Sequence, residues 1–104
     1  MKLQEGSILY ARIDYRIEGK EADYQDIHDS MAYLQDIAKE RYFLAGVFGD
    51  IKAGNIDGAM ALYEAKSLEE AQKIAQDDPL IARGFYRCEI FKWNLMILSE
   101  EACQ

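Results

Sequence analysis

The sequence predicts an α+β fold of element order β-α-β-β-α-β. Three observations predict it. The hydrophobic period is two near the N-terminus, changes to three or four residues from Asp23, and repeats that switch in the second half. Glycines cluster between the two central extended runs, as a hairpin requires. The chain holds 104 residues, half of them apolar, with a single proline. That length suits one domain over residues 1–104, burying about 65% of the unfolded chain's surface in one modest core.

Each element follows from its own pattern. Ser7 to Tyr15 alternates, with Leu9, Ala11, Ile13 and Tyr15 on one face and Ile8, Tyr10, Arg12 and Asp14 on the other, so it reads as a strand. Gly19 to Ala22 is polar and breaks it. Tyr24, Ile27, Met31, Leu34 and Ala38 then mark one helix face, with Asp23 placed to cap it and Asp26 near the positive end of the dipole. Tyr42 to Phe48 is a short aromatic strand, Asn55-Ile56-Asp57-Gly58 reads as a turn, and Ala59 to Ala65 alternates again as the third strand. Ser67-Leu68-Glu69-Glu70 is a capping box that opens a helix with Leu68, Ala71, Ile74 and Ala75 inward. Asp77-Asp78-Pro79 closes it, because the residue before a proline avoids helical angles. Gly84 to about Leu98 is expected as the last and longest strand. Two such halves give a four-stranded antiparallel sheet with both helices on one face, the ferredoxin-like arrangement.

Two helices cover only one face of that sheet, and the other face is also apolar. The last strand carries Phe85, Phe91, Trp93, Leu95 and Ile97 on one side and Tyr86, Cys88, Ile90, Met96 and Leu98 on the other. An antiparallel sheet with one wet face would alternate apolar and polar. A second copy is therefore expected on the free face, closing a dimeric α+β barrel as a homodimer.

Charge and composition narrow the partners. Twelve basic against 19 acidic residues give a net charge of −7, which disfavours nucleic acid and acidic membrane surfaces. A Lys/Arg-Gly-Phe-type aromatic strand for RNA is absent from the sequence. Apolar runs fall far short of the roughly 18 residues that span a bilayer, and Met1 to Glu5 forms no signal region, so a soluble, cytoplasmic protein is expected. Cys88 reads as a small buried hydrophobe and Cys103 as a residue in water, with no disulfide between them. Three Cys and His residues in all do not make a zinc site, and no calcium-loop pattern occurs. No metal or cofactor is expected.

The second half resembles the YCII-related (YciI-like) family. The resemblance rests on Ala59-Met60 to Glu64-Ala65, Ser67-Leu68-Glu69-Glu70-Ala71, Asp78-Pro79-Leu80, Gly84-Phe85-Tyr86 and a strand ending near Trp93. Tyr33-Leu34 and Phe43-Leu44-Ala45-Gly46 extend it more loosely into the first half. It implies a dimeric ferredoxin-like barrel and a His–Asp pair in a cleft between helix and sheet. Asp78 matches the aspartate. The family histidine stands three residues before the Tyr of the Tyr-Leu pair, where this chain has Ser30. Its one histidine, His28, lies two residues earlier, about 200° around an ideal helix. Gln25 and Ile27 stand where a basic residue would precede the histidine.

The candidate catalytic residues are therefore Asp78 with His28, or with Ser30 as the alternative position. An imidazole near neutral pKa can take and give a proton, and an aspartate fixes its tautomer. Such a pair suits isomerase, lyase or dehalogenation steps on a small polar molecule. A hydroxyl alone is neither base nor good nucleophile at pH 7. Plainer roles stand beside these: His28 as a solvated residue between Asp26 and Asp29, Asp78 as a cap on the turn into Leu80, and Phe91 and Trp93 as interface. Three functions follow: a small-molecule enzyme, a non-catalytic ligand-binding or interaction module that has lost the family histidine, and, by fold analogy, a cofactor-free oxygenase.

Overall fold

The computed structural model describes residues 3–99. Strand β1 (Ile8–Arg16), helix α1 (Tyr24–Ala38), strands β2 (Phe43–Asp50) and β3 (Asn55–Tyr63), helices α2 (Leu68–Gln76) and α3 (Pro79–Ala82), and strand β4 (Tyr86–Asn94) follow in order. The sheet runs β2-β3-β1-β4 with every neighbour antiparallel, which is the expected four-stranded arrangement. Among the described residues no helix is long and apolar enough to cross a membrane.

The helix caps form for the reasons their sequences suggest. Asp23 accepts the Asp26 N–H at 2.8 Å while Asp26 accepts the Asp23 N–H at 3.0 Å, a complete reciprocal box at the start of α1. Ser67 accepts the Glu70 N–H at 3.1 Å, but the Glu70 carboxylate takes the Lys66 N–H instead of completing the box on Ser67. Tyr10, Ala61 and Tyr63 from the sheet pack against Ala71 and Ile74 of α2, with Ile37, Phe43 and Ile90 at the margin. The wholly buried Tyr63 donates its hydroxyl to the Ala71 carbonyl at 2.6 Å, so the core holds α2 by a hydrogen bond as well as by area.

Several expectations need correction. Leu68, expected inward, is exposed, as are Tyr24, Ile27 and Met31 of the expected α1 face, where Ser30 is the buried residue. Asn55 to Gly58 is not the hairpin turn; the chain reverses over Ile51–Gly54, where Asp50 accepts the Lys52 and Ala53 N–H groups at 3.0 and 3.3 Å. Gly58 serves the sheet interior: a Cβ there would stand 2.8 Å from the Asp14 carbonyl of the neighbouring strand. Pro79 does not merely end a helix but starts α3, since a proline at the first helical position has no N–H to leave unpaired. Strand β4 ends at Asn94 and matches β1 and β3 at nine residues, so it is not the longest. Leu95 leaves the sheet and binds Ser7 and Gly6 through its backbone at 2.9 and 2.8 Å.

The register assigns the faces. Tyr10, Arg12, Asp14, Ala61, Tyr63, Cys88 and Ile90 share the helix-covered face. Ile13, Leu44, Phe48, Met60, Leu62, Phe91 and Trp93 share the other, where Leu44, Phe48, Phe91 and Trp93 are exposed. Cys88 is half-buried, and burial pushes its thiol above the ordinary range. Cys103 lies outside the described residues.

Candidate functional site

Strand alternation puts Arg12 and Asp14 beneath the helices, two residues apart on one face of an inner strand. Asp78 reaches the same point from above, as the N-cap of α3. Its Oδ2 accepts Arg12 Nη2–H at 2.8 Å, and its Oδ1 accepts both the Ser30 hydroxyl at 2.7 Å and the Leu80 N–H at 3.0 Å. Arg12 Nε–H donates to Asp14 at 2.8 Å. Asp78, Arg12 and Ser30 are 1%, 2% and 3% exposed. One buried chain, Asp14–Arg12–Asp78–Ser30, thus joins β1, α1 and the α2–α3 junction.

Electrostatics follow from burial. Burial works to lower the Arg12 pKa, yet its bonds to Asp14 and Asp78 outweigh that and hold it above the ordinary value. Burial pushes Asp14 up, more than Arg12 pulls it down. A carboxyl group whose folded pKa is raised contributes stability at low pH and loses it as pH rises from the unfolded value towards the folded one. Asp14→Asn removes that loss. Urea unfolding of both proteins across the acid range should therefore show the variant gaining on the wild type as pH rises; a pH-independent difference would contradict an Asp14 carboxyl raised by its partial burial.

The two predicted partners of Asp78 separate. Ser30 meets it directly. His28 lies on another side of α1, with a 62% exposed side chain stacked on Tyr24 at 6.4 Å between centroids and its Nδ1 3.9 Å from Asp29. The helical angle between positions 28 and 30 accounts for the divergence. Asp78 also caps the turn into Leu80, so its plainer role holds together with its place in the network. The sequence pattern alone does not reach Arg12 and Asp14 as site residues, although two charges on the core-facing side of an apolar strand are a signal. A surface depression of about 370 Å³, lined by Lys39, Glu40, Arg41, Tyr42 and Glu64, shares no residue with this network.

Comparison with known proteins agrees with the architecture. The profile of the YCII-related domain matches residues 8–94. No curated protein matches significantly in sequence. A solved structure from Burkholderia phenoliruptrix AC1100, 5-chloro-2-hydroxyhydroquinone dehydrochlorinase in complex with 2,5-dihydroxybenzoquinone, superposes with a TM-score of 0.68. It is 18% identical over 83% of this chain and 93% of its own, a likeness of fold.

Proposed function

The chain belongs to the YCII-related family, and on that premise we propose that it is a small-molecule-binding module whose site, around Asp78, works without a histidine. The observation that carries this reading is the Ser30 hydroxyl at 2.7 Å from Asp78, where the resemblance places the family imidazole. Ser30 and Arg12 offer donors and Asp78 an acceptor, which suits a small molecule bearing hydroxyl or anionic groups. Burying a guanidinium with two carboxylates is an expensive way to fix one short helix, and that cost favours a binding role for them. The apolar sheet face is covered by a second copy, giving a homodimer.

An enzyme that moves protons through Asp78 is the second reading, favoured because the superposing structure is a dehydrochlorinase. A panel of small hydroxylated quinones and carboxylates, including 2,5-dihydroxybenzoquinone, separates the two. The binding reading expects a saturable rise in Tm that Ser30→Ala weakens, with the compound recovered unchanged. Turnover abolished by His28→Ala or Asp78→Asn would replace it with the enzymatic one.

A further inference from the structure

The Asp78 network is sealed, and what seals it is held on by little. Helix α3 is one turn long and has no buried residue. It starts at Pro79 and ends before Gly84, whose φ of +82° is the left-handed region that favours glycine. Its outer end is fastened to the first turns of α1 by one side chain. Arg83 Nη1 lies 2.9 Å from Asp26 and Nη2 lies 2.9 Å from Asp29, and all three groups are at the surface or near it. Ser30 and Asp78 lie near that fastening, where α1 packs on α3 and Asp78 reaches Arg12 of β1.

We propose that α3 is a lid over the Asp78 site, latched shut by Arg83 across Asp26 and Asp29, and that releasing the latch opens a path between α1 and α3 to Arg12, Ser30 and Asp78. The proposal rests on reading Asp78 as the binding site. Surface ion pairs are weak and screened by salt, whereas the buried Arg12–Asp78 pair is screened far less. The latch therefore yields under conditions that leave the sheet intact. Proline at one end and glycine at the other confine the backbone change to the segment between them.

Hydrogen exchange on the full chain tests this with no ligand present. The amides of Ile81 to Phe85, all bonded to carbonyls of Asp78 to Ile81, report the lid. In Arg83→Gln they should exchange about threefold to tenfold faster, with the β1 and β4 amides unchanged. Raising salt from about 20 mM to about 500 mM should move the wild type towards the variant. Cys88 reports whether the site itself is uncovered, since it faces Asp14 across the sheet. In a Cys103→Ser background, Arg83→Gln should speed thiol labelling of Cys88 by a similar factor. Unchanged lid amides, uniform acceleration across the sheet, or faster lid amides with unchanged Cys88 labelling would each overturn the lid. A failed ligand screen leaves these readouts standing, so the two ideas fall separately.

Discussion

Asp78→Ala should destabilise the protein by about 3 kcal/mol or more, the largest effect expected of any single polar substitution here. The substitution leaves the Arg12 guanidinium, 2% exposed, with Asp14 as its one carboxylate, and strips Ser30 of its acceptor and Leu80 of its cap. For a domain of this size that is a fall in Tm of roughly 15–25 °C. A triple variant decides whether the buried charge is responsible. Arg12→Met with Asp14→Asn and Asp78→Ala removes the guanidinium together with the carboxylate that its loss would strand, and should recover part of the loss. If the triple variant is no more stable than Asp78→Ala alone, the cost of Asp78→Ala lies in the cap and not in a stranded charge.

Ile90→Asp and Phe91→Asp should differ sharply although the residues are adjacent. Ile90 lies under the helices against the buried core, so a carboxylate there costs several kcal/mol and the protein should not fold. Phe91 is 49% exposed on the other face, beside Ala11 and near Trp93, where the second copy is expected. Phe91→Asp should give a folded monomer with unchanged far-ultraviolet circular dichroism. Sedimentation of the wild type at micromolar concentration should give two 11.9 kDa chains, about 24 kDa. A monomeric wild type, or a Phe91→Asp variant that still dimerises, would remove the sheet-face interface.

Period and capping made most of the fold legible, because both are local. The alternation of Leu9 to Tyr15 and the caps at Asp23 and Ser67 needed no tertiary context. The hairpin turn was missed because Asp57-Gly58 has turn chemistry, yet Gly58 is set by the Asp14 backbone of a strand more than 40 residues away in sequence. At the site, Asp78 and Ser30 were legible through the family pattern. Arg12 was not, since its value depends on which partners the other elements bring to it. Charge on the core-facing side of a strand marks Arg12 as unusual without saying that a carboxylate 66 positions away will meet it.

The strand order carries a consequence for how the chain is made. Strand β1 leaves the ribosome first, yet it lies between β3 and β4, the last two strands to be synthesised. Only the β2–β3 hairpin can form from neighbouring sequence. Until residue 94 has emerged, β1 keeps one edge open and Arg12 waits for a partner some 66 positions downstream. Such non-local pairing folds slowly compared with helical topologies. The nascent protein thus carries β1 with at least one edge open until its last strand is made, which is the stage at which a chaperone or a premature second copy would find it.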